Sequence, residues 1–120
     1  MNKDVLKDRT KKLALRVIKM SEAMPFNRVA DVVAKQIVRS ATSTAANYRA
    51  CLRARSTADF THKLGVVLEE ADETLFWLEI IGESGLLKQS LIQGLADESE
   101  ELVRIFSKSL KTSRERSRKS

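Results

Sequence analysis

Residues 56–85 of the chain read STADFTHKLGVVLEEADETLFWLEIIGESG, and this stretch decides the fold class. Steps of four and three residues separate its inward-facing positions, which are Phe60, Leu64, Val67, Ala71, Thr74, Leu78 and Ile81. That spacing places them on one face of an α-helix. Ser56 and Asp59 resemble a capping box at the start, and the Gly-Glu-Ser-Gly sequence at residues 82–85 ends the segment. The stretch therefore predicts one long amphipathic helix.

Three further segments carry apolar side chains at helical spacing. The first spans residues 3 to 23 and ends before Pro25, because a proline pushes the preceding residue out of the α conformation. The second spans residues 28 to 52 with Asn27 as its predicted N-cap, and the last spans residues 87 to 111. The side chains predicted to face the core in these three segments are Leu6, Leu13, Val17, Met20, Met24, Val29, Val33, Ile37, Ala41, Thr44, Tyr48, Cys51, Leu91, Leu95, Leu102, Phe106 and Leu110.

The composition agrees with an all-α protein of one domain. The chain has 120 residues with one proline and four glycines, so few positions can break a helix. Helices joined by short loops pack alternately up and down, so residues 1–111 are predicted to form an antiparallel up-down-up-down four-helix bundle. Residues 112–120 contain no apolar side chain and are predicted to form a disordered basic tail.

Charge is distributed unevenly along the chain. Residues 1–55 hold thirteen Lys and Arg against four Asp and Glu, whereas residues 56–110 hold four against eleven. Five cations of the second segment share one helical face: Arg28, Lys35, Arg39, Arg49 and Arg53. Two interpretations remain open, namely ion pairing with the acidic third segment or an open surface that binds nucleic-acid phosphates. The residues predicted to bind nucleic acid are Arg49, Arg53, Arg55, Arg114, Arg116, Arg118 and Lys119.

Aromatic residues are few, with one Trp, one Tyr and four Phe, and most of them lie at core spacing. Stacking of bases on exposed rings is therefore poorly supported. Nucleic-acid binding is expected to depend on phosphate contacts, with weak sequence preference and steep salt dependence.

The third segment carries more apolar surface than a bundle of four short helices can bury. Phe76, Trp77 and Ile80 lie off its core stripe, so the segment is apolar on almost every side near its end. A helix of that kind is covered by a partner when it is not central to a larger body. We therefore predict that these three residues form an interface between copies of the chain.

The residue inventory argues against catalysis and against a metal or cofactor. The chain has one histidine, His62, whereas a di-iron bundle needs two Glu-x-x-His motifs. Its one cysteine, Cys51, lies on the core stripe without a histidine nearby and is predicted to be an inert buried thiol. No secretory signal or membrane-length apolar run is visible, so a cytoplasmic protein without membrane contact is expected.

An ordered series of short motifs is similar to a known family. The series comprises residues 36–41, Asn47, residues 56–60, residues 64–73, residues 78–79 and the closing residues 84–87. Over about residues 10 to 110 the chain resembles the four-helix bundle proteins, also called 23S rRNA intervening-sequence proteins. It departs from their pattern around Asn47, where many members carry a preceding proline and a following acid-glycine pair. The second helix is therefore expected to run straighter and further than usual.

The resemblance implies a four-helix bundle assembled into a ring-like homopentamer. Some members of the family are encoded within inserts of bacterial large-subunit rRNA genes. A related branch, the accessory variability proteins of diversity-generating retroelements, works with a reverse transcriptase and nucleic acid. The family position of Arg39 also implies a structural polar network of Arg39, Asn47 and Glu70.

Two functional hypotheses follow. The first is a non-enzymatic, oligomeric interaction protein whose basic surfaces bind RNA or DNA or whose surface binds a protein partner. The alternative is a small-molecule binder or enzyme with a polar site between helices around Arg39, Asn47 and Glu70.

Overall fold

The computed structural model describes residues 2–119 as four α-helices without a β-strand. The helices are α1 (Lys3–Ser21), α2 (Arg28–Cys51), α3 (Thr57–Glu83) and α4 (Gln89–Lys119). The all-α prediction is confirmed. Met1, the first residue of the predicted bundle, and Ser120, the last residue of the predicted tail, lie outside the described residues.

Polar side chains begin the helices where the sequence indicated. The side chain of Asn27 accepts the backbone N–H of Ala30 at 2.8 Å, so it caps α2. At the start of α3, Ser56 Oγ accepts the N–H of Asp59 at 3.0 Å. The Asp59 carboxylate reaches back to the N–H of Arg55, one residue before the cap. These caps fix where the two central helices begin.

The helices pack in a closed cycle in which each contacts the next and α1 returns to α4. The diagonal pairs, α1 with α3 and α2 with α4, make no close backbone contact within residues 2–119. Side chains set the antiparallel register of α2 and α3: Thr74 Oγ1 donates to Ser40 Oγ at 2.9 Å, and Cys51 lies against the carbonyl of Phe60. The resulting bundle is elongated, 51 × 22 × 19 Å along its principal axes.

The predicted stripes form the core except at Phe60, which is half-buried, and at two exposed positions. Val29 and Leu91 are 62% and 59% exposed, and the buried positions next to them belong to Ala30 and Ile92. In the first turn of a helix, a residue three positions before the next core residue and a residue four positions before it fit the helical period equally well. The direction of the neighbouring helix decides which of the two residues is buried. Because Ala30 and Ile92 are the buried ones, the predictions for Val29 and Leu91 were wrong.

The prediction of a disordered tail is also wrong over residues 112–119, because α4 continues through Lys119. Ser113 is buried in this extension, and its hydroxyl lies 2.5 Å from Thr61 Oγ1 of α3. Ser117 Oγ lies 3.1 Å from the same threonine oxygen. Hydroxyl groups thus hold this extension of α4 against α3, although the segment has no apolar side chain to pack there. The helical domain therefore extends well past residue 111.

Candidate nucleic-acid interface

The cations of α2 divide into two groups, and Arg39 belongs to the paired one. Its Nη1 donates to Glu70 Oε2 at 3.1 Å, and its Nη2 donates to the Glu73 carboxylate. Glu73 also accepts the indole N–H of Trp77 at 3.1 Å. The hydrogen bond from Trp77, followed by the one from Arg39, lowers the pKa of Glu73. At Arg39, therefore, the interpretation of ion pairing with the third helix is confirmed.

Asn47 takes no part in that cluster. Its side-chain amide donates to the carbonyl and to the hydroxyl of Ser43, at 2.8 and 2.9 Å, within α2. Arg39 lies two turns away with its side chain 47% exposed. The predicted network of Arg39, Asn47 and Glu70 was therefore wrong in its asparagine. The inter-helix polar site of the alternative hypothesis does not form around these three residues.

The remaining predicted cations are exposed, and no acidic side chain of residues 2–119 forms an ion pair with them. Arg49 projects from the last turn of α2, and Arg53 and Arg55 lie in the loop that follows. Four more lie on the last turns of α4: Arg114, Arg116, Arg118 and Lys119. Within residues 2–119, none of the seven makes an ion pair with an acidic side chain. We refer to these seven residues as the basic pole.

The up-down connectivity brings both parts of the basic pole to one end of the bundle, because α2 and α4 run in the same direction. The rings of Tyr48 and Phe106, with centroids 5.4 Å apart, set residue 48 of α2 level with residue 106 of α4. Arg49 is then level with about residue 107, and the pole extends from there to Lys119. At 1.5 Å per residue this is about 18 Å along the axis.

Two of the segments at this end are strongly cationic. Residues 49–63 and 108–119 together hold ten Lys and Arg against two acids, a net charge of +8. One of the acids, Asp59, pairs with Lys63 at 3.1 Å. The backbone N–H of Arg55, followed by Lys63, lowers the pKa of Asp59. Residues 69–101 carry ten acids against one Lys, so positive and negative charge are separated along the bundle.

The end opposite the basic pole carries an apolar strip on the outer surface of α2 and α3. Phe76 is 47% exposed and contacts Trp77 edge to face, with centroids 5.0 Å apart, and Ile80 is half-buried. Val32 lies seven residues before Arg39 and Ile80 seven after Glu73, so the register of the Arg39–Glu73 pair sets Val32 level with Ile80. The apolar strip comprises Val29, Val32, Phe76, Trp77 and Ile80.

Sequence reasoning missed the two valines of the apolar strip and the pairing of Arg9. The sequence does contain a signal for Val32, which is an apolar residue off the core stripe, as Phe76 is. Arg9 joins α1 to α4 through two hydrogen bonds to Glu98, at 2.6 and 2.9 Å. The hydrogen bonds to Glu98 raise the pKa of Arg9. No spacing rule connects residues so far apart in sequence.

The residue types associated with catalysis or metal binding do not converge. Cys51 is fully buried, and desolvation raises the pKa of its thiol to about 11. His62 is exposed on α3. Across residues 2–119 no group of three or more His, Cys, Asp and Glu side chains is placed to hold a metal ion. The helices in the same range are too short or too polar to cross a lipid bilayer.

Comparison with known proteins places this architecture in a family. The family model described as 23S rRNA-intervening sequence protein matches residues 3–108. No curated protein matches the chain. A crystal structure of a protein of unknown function from the S23 ribosomal protein family, from Bacteroides thetaiotaomicron, is 32% identical and superposes with a TM-score of 0.83. The match covers 92% of this chain and 99% of that one.

Proposed function

Because the chain belongs to the 23S rRNA-intervening sequence protein family, we propose that it is a non-enzymatic, self-associating helical bundle that binds nucleic acid through the basic pole. The seven unpaired cations at one end of the bundle carry this proposal. The descriptions of the family and of the similar structure refer to rRNA and to a ribosomal protein, which is consistent with a polyanionic partner.

The physical basis is the release of counterions from a phosphate backbone. An arginine that already pairs with a carboxylate gains little by moving to a phosphate, whereas an exposed and unpaired one gains the full contact. Arg39 represents the first kind and Arg53 the second. Phosphate contacts carry little sequence information, so weak sequence preference is expected.

The test is a fluorescence anisotropy titration of mixed-sequence DNA and RNA fragments with the full chain. For about six phosphate contacts, the affinity is expected to fall about a thousandfold between 50 and 200 mM salt. The double substitution R53Q/R55Q should weaken binding by tenfold or more at about 100 mM salt. R28Q/K35Q, which removes two exposed cations from the opposite end of α2, should leave it within about twofold. Binding that is insensitive to salt, or equal loss in both variants, would contradict the proposal.

For self-association we propose a ring, with five copies as the expected number. Closed rings need two different patches that fit each other, unlike the single self-complementary patch of a two-fold dimer. The apolar strip is one exposed apolar area, and a second lies on α1, where Leu15 and Ile18 are 56% and 37% exposed. Apolar area left exposed in this way is most stable when a partner covers it.

Light scattering after size exclusion tests this assembly. Five chains of 13.5 kDa give an expected mass of about 68 kDa. The substitution Trp77→Glu places a charge within the apolar strip and should shift the mass to that of one chain. Leu91→Glu, at an exposed apolar residue outside both patches, is the control and should leave the mass unchanged. A monomer at micromolar concentration in the unmodified chain would refute self-association.

A further inference from the structure

The basic pole offers cations to a ligand but no aromatic face. Tyr48 and Phe106 are buried in the core near this end, and Phe60 is half-buried at the start of α3. Within residues 2–119, the exposed aromatic rings are Phe26 and Phe76, on the other half of the bundle. Proteins that hold single strands combine a cationic groove with rings on which bases stack. That second component is missing from the described part of this end.

A binder that works through phosphates alone favours the ligand with the higher charge density. A duplex carries one phosphate charge for about every 1.7 Å of its axis, twice the density of one strand. More counterions are condensed on it, so each contact releases more of them. In the absence of stacking, this difference favours the duplex.

The two parts of the basic pole lie at opposite corners of the bundle. The α2 cluster (Arg49, Arg53 and Arg55) and the α4 cluster (residues 114–119) belong to helices that are diagonal to each other. Neighbouring helix axes lie about 8–10 Å apart, so the diagonal is about 11–14 Å. The major groove of B-DNA is about 12 Å wide. The two clusters are also offset along the bundle axis, by about 11 Å between the middles of residues 49–53 and 114–119, so they lie about 16–18 Å apart. Long arginine side chains at this separation can reach phosphates of the two strands on either side of one groove.

We propose that the basic pole binds double-stranded nucleic acid in preference to a single strand, with the α2 cluster contacting one strand and the α4 cluster the other. This inference rests on the proposed function, since it specifies which nucleic acid the same surface takes. The shared chemistry is a duplex phosphate backbone, which DNA and RNA both provide.

The size of the preference follows from the salt dependence. With about six contacts, the logarithm of the affinity falls with the logarithm of salt concentration with a slope of about −5.4 for a duplex and about −4.2 for a single strand. When the two affinities are taken as equal at 1 M salt, the two lines separate by about 1.2 decades at 0.1 M salt. A duplex is thus expected to bind about tenfold more tightly at 0.1 M salt.

The experiment compares four probes of about 20 nucleotides or base pairs: a DNA strand, the RNA strand of the same sequence, and the duplex of each. Each probe carries one fluorophore and is titrated with the full chain between about 50 and 200 mM salt. Tighter binding of either duplex than of its own strand is the expected result, and comparison of the two duplexes identifies the natural source. Equal or tighter binding of the single strands would overturn the inference and leave the proposed function intact. No binding of any probe at the lowest salt would remove the proposed function itself.

Two matched variants test the contact with both strands. R53Q/R55Q removes two cations from the α2 cluster, and R114Q/R118Q removes two from the α4 cluster that lie one turn apart on the same face. Each should make the duplex slope less steep by about 1.8 and weaken duplex binding about 50-fold at 0.1 M salt. All four side chains are exposed and unpaired, so folding should be unaffected, which circular dichroism verifies. A change in slope for only one of the two variants would refute the two-strand arrangement.

Discussion

Two glycines of α3 provide a matched test of how closely α3 and α4 approach. A β-carbon added at Gly65 would have no heavy atom within 4 Å outside its own helix. A β-carbon at Gly82 would lie 2.8 Å from Ile92 Cδ1 and would also overlap the side-chain amide of Gln89. Ile92 is 1% exposed, so its methyl group has little space to move away. The same substitution should therefore have opposite effects at the two positions.

The magnitudes follow from helix propensity and overpacking. In a helix interior alanine is favoured over glycine by about 1 kcal/mol, so Gly65→Ala should raise the free energy of unfolding by about that amount. At Gly82 the gain is smaller because the residue is the last but one of the helix, and overpacking costs about 1–3 kcal/mol. Gly82→Ala should thus lower the free energy of unfolding by up to about 2 kcal/mol.

Urea denaturation followed by circular dichroism measures both variants, at one fixed protein concentration because self-association adds to apparent stability. Ile92→Val removes the clashing methyl group and serves as the internal control. The double variant Gly82→Ala with Ile92→Val should be less destabilised than the sum of the single variants. If Gly82→Ala stabilises the protein as much as Gly65→Ala does, or if the double variant is simply additive, the close approach at Gly82 is wrong.

Two further outcomes are expected from the described contacts. Burial raises the Cys51 pKa from 9.0 to about 11, so its contribution to stability is complete below pH 9 and is lost as the pH rises through 11. The free energy of unfolding should fall by about 2–3 kcal/mol over that range in excess of the fall in a Cys51→Ala variant, and an equal pH dependence of the two proteins would contradict this. Thr61→Val removes the hydroxyl that contacts Ser113 and Ser117 and should destabilise the protein by about 1 kcal/mol and speed hydrogen exchange in residues 112–119. Thr42→Val, at a hydroxyl bonded only within its own helix, should leave that exchange unchanged, and faster exchange in it as well would refute the role of Thr61.

The helices could be predicted because burial imposes a period that the sequence displays directly. The stripe from Leu64 to Ile81 is fixed by its own spacing, and the structure buries it as expected. At the helix ends the period has too few repeats to set a phase, which is why Val29 and Leu91 were assigned to the core incorrectly. Local patterns thus determine helix interiors more firmly than helix ends.

The extension of α4 shows a second limit. Residues 112–119 lack apolar side chains, and a prediction based on hydrophobic periodicity treats such a segment as a tail. The contact that holds Ser113 comes from Thr61, which is distant in the sequence but adjacent in the antiparallel bundle. A hydrogen bond between two small hydroxyl side chains has no periodic signature. The same reasoning applies to Arg9, whose pairing with Glu98 depends on the relative rotation of α1 and α4.

The seven cations of the basic pole were named from the sequence, but their meeting at one end of the bundle depends on the continuation of α4 past residue 111. In an up-down bundle the second and fourth helices end on the same side, so cations near the C-terminal ends of these two helices lie close together. Which of these cations are free required the structure, since Arg39 on the same face of α2 is neutralised by Glu70 and Glu73. The sequence therefore identified the cations, whereas the structure placed them relative to each other and showed which of them lack an acidic partner within residues 2–119.

The placement of the two exposed surfaces also connects the proposals for assembly and binding. The apolar strip lies near the start of α2 and the end of α3, whereas the basic pole lies at the opposite end of the 51 Å bundle. Association through the strip therefore leaves the pole uncovered. In a ring, each copy is related to the next by a rotation about the ring axis. If the long axis of one bundle has a component along the ring axis, every copy points the same way, and all the basic poles lie on one side of the ring. Several poles on one side can contact a single duplex, and the second contact then forms at a high effective concentration. A modest affinity at each pole is sufficient for stable binding of a long nucleic acid.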